Sequence, residues 1–291
     1  MTEGRGAERP RRGRRSSRAP IRAMRPFLES RYRILAVALN TYREAVRNKA
    51  FVGLGLFAVA FLLLSLAMSE LTVVGQGSRV VQNFGFFVMS LFGVLTAIAM
   101  GTLLVYRELE QRTIYSIVSK PIRRHEFILG KYLGLLTILG VQLVGLGVVW
   151  ALVMWLQGVT LGVEHLKGWI LVFFEVETLA AVAVMFSAWT TPVLSGLFSL
   201  GVFAVGRVIP LLEGMLGHSR GLFVENPVLK WVGEAVVRVF PDLGVFDVSQ
   251  QVLLEVPVSW TYVAHALVYG LAYRVICLVL GMLAFERRDF T

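Results

Sequence analysis

Six runs of apolar residues, each long enough to cross a lipid bilayer, decide what this chain can fold into. They lie at residues 51–69, 84–106, 132–156, 169–190, 193–212 and 260–285. A helix rises about 1.5 Å per residue, so about 20 apolar residues cover the roughly 30 Å of hydrocarbon in a bilayer. Backbone groups in hydrocarbon must be paired within the structure, and for runs of this length the solution is an α-helix. Only 16% of the 291 residues are charged and 56% are apolar. That is too few charges to cover a soluble fold, which carries about 25%. The fold expected is all-α and integral to the membrane.

The Lys and Arg residues orient the spans. Of 29, fourteen lie between Arg5 and Lys49, six more between Arg107 and Lys131, and two at Arg287 and Arg288. The alternate segments hold Arg79, Lys167, Arg220, Lys230 and Arg238 alone. By the positive-inside rule the N-terminus, the segment after the second span and the C-terminus are expected on the cytoplasmic side. The Thr191-Pro192 break between the fourth and fifth runs then turns on that side too. Residues 1–28 read as a basic arm, expected to be disordered. A basic arm can bind nucleic acid, but positive-inside placement accounts for it and no nucleic-acid partner is expected. The first run is too long, and its basic flank too extended, for a cleaved export signal.

Two flanking segments have helical patterning. Before the first span, Ile34, Leu35, Ala38, Leu39, Tyr42 and Val46 recur at spacings of three and four, with Arg43, Glu44 and Arg47 largely on other faces. This predicts an amphipathic helix in the cytoplasmic interface. After the fifth span, Asn226-Pro227 is a cap and first turn. Val228, Val232, Ala235, Val236 and Val239 then form an apolar stripe opposite Lys230, Glu234 and Arg238, predicting a second interfacial helix on the external side.

Catalytic and metal-binding patterns are missing. Gly130-Lys131 has His125 where a phosphate-binding loop needs its first glycine and Tyr132 where it needs Ser or Thr. His125, His165, His218 and His265 have no metal-ligand spacing, and the single cysteine, Cys277, lies in an apolar run. The chain is expected to be no enzyme, with no catalytic or metal residues and no cofactor of its own.

Two features remain. The cytoplasmic segment RELEQRTIYSIVSKPIRRHEFILGK carries an apolar face of Ile114, Ile117 and Val118 on a helix continued from the second span. Lys120 before Pro121 disfavours continuation, and Pro121 suits the first turn of a helix entering the third span. The pattern fits either a solvated helical hairpin or a docking knob for a soluble partner. The second feature is charge within spans: Glu175 and Glu177 a turn or two below the external end of the fourth, Arg207 at similar depth in the fifth, and Arg274 deeper in the sixth. Charges in hydrocarbon are expected to pair. Residues two apart point about 200° from each other on a helix. Arg207 is therefore expected to satisfy one glutamate, leaving the other to water, a partner protomer or a cavity. Arg274 is expected to snorkel or meet a backbone carbonyl. The cluster fits a structural ion pair or a site that handles substrate or protons.

Three stretches together resemble the permease subunit of type-2 ABC exporters, the six-span kind related to nitrous-oxide-reductase maturation, gliding-motility and sodium-export permeases. NTYREAVRNKAF (residues 40–51) is similar to that family's elbow before the first span. RELEQRTIYSIVSKPIRRHEFILGKYLG is similar to its cytoplasmic coupling segment. FPDLGVFDVSQQVL (residues 240–254) with the terminal FERRDF is similar to its external loop and closing tail. The resemblance extends over the chain from about residue 30, giving a permease domain at 29–291.

The resemblance implies a partnership. Two permeases, alike or related, would form a twelve-span path in the bacterial inner membrane, and two separate ATPase subunits carrying ATP and magnesium would bind beneath. Each ATPase would receive a cytoplasmic helix, here with Glu108, Leu109, Glu110, Thr113, Ile114, Ile117 and Val118 as coupling residues. Tyr42, Arg43, Glu44 and Arg47 would lie on the elbow. Residues 214–258 would hold short helices capping the outer end, with Pro241, Asp242, Phe246 and Asp247 in turn and cap roles. Two alternatives stay open: an ion-coupled secondary transporter using Glu175 or Glu177, and a non-transporting membrane assembly factor. The substrate is not specified; uniformly apolar spans would suit a lipophilic or amphipathic cargo.

Overall fold

The computed structural model describes residues 19–72, 76–110, 124–217 and 226–287. Nine α-helices and one 3₁₀ turn occur among them, with no strand. They are α1 (Ala19–Val46), α2 (Lys49–Glu70), α3 (Gly77–Glu110), α4 (Arg124–Leu156), α5 (Val163–Trp189), α6 (Pro192–Gly217), α7 (Pro227–Val239), α8 (Ser249–Leu253) and α9 (Trp260–Arg287), with the turn at Gly244–Phe246. Helices α2, α3, α4, α5, α6 and α9 are long and apolar enough to span a bilayer. The six expected spans are therefore present.

The helix ends follow local chemistry. Asn48 caps α2 by accepting from the Ala50 amide at 2.9 Å, and Asn226 caps α7 by accepting from the Val228 amide at 3.1 Å. Thr190 is extended and Pro192 opens α6, so the chain reverses at Thr191 as the proline requires. Several spans run past the apolar stretches that mark them. Helix α5 starts at Val163 rather than near residue 169, because Lys167 does not need water. Its ammonium donates to Glu164 at 2.8 Å and to the Val258 carbonyl at 2.6 Å, and it lies 4.9 Å from the Trp260 ring centre. Helix α4 likewise starts at Arg124 and carries buried Glu126 and Lys131.

Helices α3 and α5 form the centre, and α2, α4, α6 and α9 pack around them. The two approach closely through small residues. A Cβ at Gly93 would sit 2.6 Å from Val176, and one at Gly101 would sit 2.9 Å from Ala183. Hydrocarbon offers no hydrophobic drive between helices, so such close packing and buried hydrogen bonds hold them together. Gln142 of α4 donates to Thr96 of α3 at 3.0 Å, Trp150 to the Val81 carbonyl at 3.2 Å, and Trp169 to the Leu143 carbonyl at 3.1 Å.

Helix α1 lies along the start of α4. Gly130 and Gly134, one turn apart, leave room for it: a Cβ at Gly134 would be 2.6 Å from both the Ala38 carbonyl and Thr41. Ser30 donates to Glu126 at 2.6 Å, and the buried Lys131 ammonium stands 3.6 Å from Glu44. Of the expected elbow residues, Tyr42 is half-buried against the core and Glu44 faces Lys131, while Arg43 and Arg47 are exposed. Helix α1 also begins at Ala19, inside the stretch expected to be a disordered arm to residue 28; Pro20 suits its first turn. Residues 1–18 of that arm lie outside the described residues.

Candidate functional site

At the end of the bundle opposite α1, the segment between α6 and α9 folds back over the spans and supplies one side of a buried charge network. Its placement starts from a proline. Pro210 lies inside α6 and has no N–H to give the carbonyl four residues earlier, that of Gly206. Leu243 of the folded-back segment donates to that carbonyl at 3.1 Å. A freed carbonyl in a membrane helix needs such a replacement donor. Gly206 also makes the approach possible, since a Cβ there would sit 2.7 Å from both the Pro241 carbonyl and the Leu243 side chain.

Arg207, the next residue, points into the space between α3, α5 and this segment. Its Nη1 donates to Asp247 Oδ2 at 2.6 Å. Its Nη2 donates to Ser90 Oγ at 2.6 Å and lies 2.9 Å from Glu175 Oε1. The Ser90 hydroxyl in turn donates a hydrogen bond to Glu175 Oε2 at 2.9 Å. Glu175 is 0% exposed, Arg207 27% by side chain and Asp247 41%. The network thus runs from a fully buried carboxylate through one guanidinium to a carboxylate at the surface. With α5 starting at Val163, before Lys167, Glu175 lies about 18 Å along the helix.

Glu177 faces away from this network, as its position two residues on dictates. It is not left to water or a cavity, as expected, but forms an ion pair with Arg274 of α9. Arg274 does meet a backbone carbonyl: its Nε donates to Gly270 at 3.2 Å, and its guanidinium lies 4.5 Å from the Phe174 ring centre. The reason is register: Glu177 and Arg274 are each fourteen residues along helices that start at the same end of the bundle, so they meet at one depth. The Tyr132 hydroxyl donates to the Glu177 carbonyl at 3.2 Å, joining α4 to this layer.

The folded-back segment makes side-chain turns at both aspartates, and one contact more. Asp242 accepts from the Gly244 amide at 2.8 Å, and Asp247 accepts from the Ser249 amide at 3.1 Å and hydroxyl at 2.7 Å. Asp247 is at the same time a member of the Arg207 network, which sequence reasoning did not foresee; nor did it single out Ser90. The signals were a polar residue amid the apolar second run and an aspartate that its own cap leaves with a free oxygen. Burial acts to raise the Asp247 carboxyl, but the Ser249 hydrogen bonds and the Arg207 guanidinium outweigh it and hold it below the usual Asp range. Asp242 is pushed up, chiefly by burial, against its bond from Gly244.

A cavity of about 480 Å³ opens beside the network, lined by Ser90, Glu175, Arg207 and Asp247 and by phenylalanines of α3 and α6. It is of the size that takes a small organic molecule. Among the described residues, no three His, Cys, Asp or Glu come together as a metal would require.

Of the expected coupling residues, Glu108, Leu109 and Glu110 lie at the other end. The backbone of α3 continues through Glu108, Leu109 and Glu110, as the helical extension of the second span requires. Thr113, Ile114, Ile117 and Val118, with the expected helix start at Pro121, lie outside the described residues, as does the tail after Arg287.

One comparison with known proteins bears on the whole chain. A family model described as ABC-2 family transporter protein matches residues 35–290. No curated protein matches the chain.

Proposed function

We propose a function from one fact: the chain belongs to the ABC-2 family of transporter proteins. It is a multi-pass membrane protein and a permease component of an ABC transporter. The finer reading is that it serves an ATP-driven exporter as half of the translocation path, paired with a second permease copy. Two ATPase subunits, holding ATP and magnesium, bind at the α1 end and supply the energy. The α1 end then faces the cytoplasm of a bacterial inner membrane with both termini, and the α7–α8 segment caps the outer face. The Lys and Arg distribution supports that orientation.

One observation carries the coupling. Helix α3 is continuous from Gly77 to Glu110, so Ser90 in the charge network and Glu110 beside the coupling segment lie on one rod, about 30 Å apart. Helix α1 braces α4, the helix that follows that segment in the chain, through Glu126 and Lys131. A push on residues 111–123 has a direct mechanical path to Arg207 and its cavity. Glu175 and Glu177 are each held by an arginine, which favours a structural role for them over the ion-coupled alternative.

The test is purification of the full-length chain from its own membranes with any bound ATPase, beside Glu108→Arg and Glu110→Arg. The reading expects an ATPase partner with wild type and its loss, or loss of ATP-coupled activity, with the charge reversals. A chain that is stable and active with no ATPase partner contradicts it.

A further inference from the structure

The cavity beside Arg207 has walls and a charge balance of a definite kind. Its volume is about 480 Å³, and Phe84, Phe87, Phe203 and Phe246 contribute to its lining. The charged residues lining it are Glu175, Arg207 and Asp247, two carboxylates against one guanidinium. That guanidinium is committed to the wall: its Nη1 is on Asp247, and its Nη2 is on Ser90 and Glu175. Asp247 keeps 41% of its side chain exposed while its two oxygens hold Ser249 and Arg207. The charged group that the lining leaves most exposed is therefore the Asp247 carboxylate, set in an aromatic, weakly polar space.

Such a space discriminates between ligands by sign. Ring faces attract cations through their quadrupole, and a carboxylate acts strongly across a poorly hydrated gap. An anion would meet the exposed Asp247 carboxylate and find Arg207 already engaged. A small metal ion is poorly served too, because among the described residues no three His, Cys, Asp or Glu gather as a metal site needs. We propose that this cavity binds a hydrophobic organic cation, a positive centre such as a quaternary ammonium or protonated amine carried on apolar groups. The apolar groups lie against the phenylalanines and the positive centre lies toward Asp247. That this cation is cargo rests on the permease reading above; that it binds does not.

The test uses two probes of the same four-phenyl shape and opposite charge, tetraphenylphosphonium and tetraphenylborate. Their saturable binding to the full-length chain in lipid nanodiscs is measured by equilibrium dialysis above that of empty nanodiscs. The expected result is saturable binding of the phosphonium and at least about tenfold weaker binding of the borate. Asp247→Asn, which can still cap Ser249, should weaken phosphonium binding by about tenfold. Phe203→Leu, which removes one ring face, should weaken it also. No saturable phosphonium binding by wild type, equal binding of both probes, or an unchanged affinity in Asp247→Asn overturns the proposal. Copurification of an ATPase with wild type reads the permease assignment separately. An ATPase-bound chain that ignores the phosphonium overturns this inference alone, and a chain that binds it but has no ATPase overturns only the cargo role.

Discussion

Glu175 and Glu177 stand two residues apart in α5, and each holds a different arginine, Arg207 from α6 and Arg274 from α9. One helix therefore ties two neighbours on opposite sides through two ion pairs at adjacent depths. A buried ion pair need not stabilise relative to apolar residues, but removing one partner leaves a charge stranded in a poor dielectric.

The deeper pair gives the first prediction. Arg274→Ala or Glu177→Ala alone should destabilise the chain by about 3–5 kcal/mol. Arg274→Met combined with Glu177→Leu should cost much less than the sum of the two single changes. Thermal unfolding in detergent, arranged as a double-mutant cycle, measures the difference.

The turn over α6 gives the second. Gly206→Ala should cost about 1–3 kcal/mol by pressing on the Pro241 carbonyl and Leu243. Pro210→Ala should act differently, returning a helical donor to the Gly206 carbonyl so that it competes with Leu243. Amide hydrogen exchange at residues 241–247 should quicken in Pro210→Ala while the centre of α3 stays protected.

These relationships separate what was legible in the sequence from what was not. The six spans, the Pro192 reversal and the Asn226-Pro227 helix start are written in local chemistry, and the structure has them. That Glu175 or Glu177 pairs with Arg207 was legible as a need of buried charge. Which glutamate pairs, and that Arg274 takes the other, depends on where α5 and α9 begin. The start of α9 was legible at residue 260, but that of α5 was hidden because Lys167 pairs with Glu164 and donates to the Val258 carbonyl, ninety-one residues away. Asp247 was read in a turn or cap role, and its carboxylate closes a turn onto Ser249. Its second role depends on the folded-back segment seating on Gly206, a tertiary contact with no periodic signature.

Acid should act on the folded-back segment in two stages. The Asp242 carboxyl is raised in the fold, so its charged form opposes folding; that cost is relieved as pH falls through its raised value. The Asp247 carboxyl is lowered, so its contribution is present above the ordinary Asp value and is lost only as pH falls through the lowered one. Thermal stability followed from about pH 7 to about pH 3 should first gain and then lose. Asp242→Asn should remove the gain and Asp247→Asn the later loss.

The elbow contact gives a prediction about assembly. Gly134→Leu should drive α1 off α4, since even a Cβ there meets the Ala38 carbonyl and Thr41. On the proposed reading, the six spans should still insert while ATPase association falls by about tenfold or more, because α1 holds the start of α4, the helix that follows the coupling segment in the chain. Protease protection of the spans and recovery of the partner on an affinity-tagged chain measure the two effects.

The central claim is that this 32.3 kDa chain is half of a channel that works with borrowed ATPases. Native mass spectrometry of the intact complex, extracted from its own membranes in nanodiscs, tests it most directly. The prediction is a particle with two permease chains and two nucleotide-binding subunits, from which Glu110→Arg releases the ATPases while the permease pair remains. A chain that runs alone, with no ATPase bound and with its membrane activity undiminished, would contradict it.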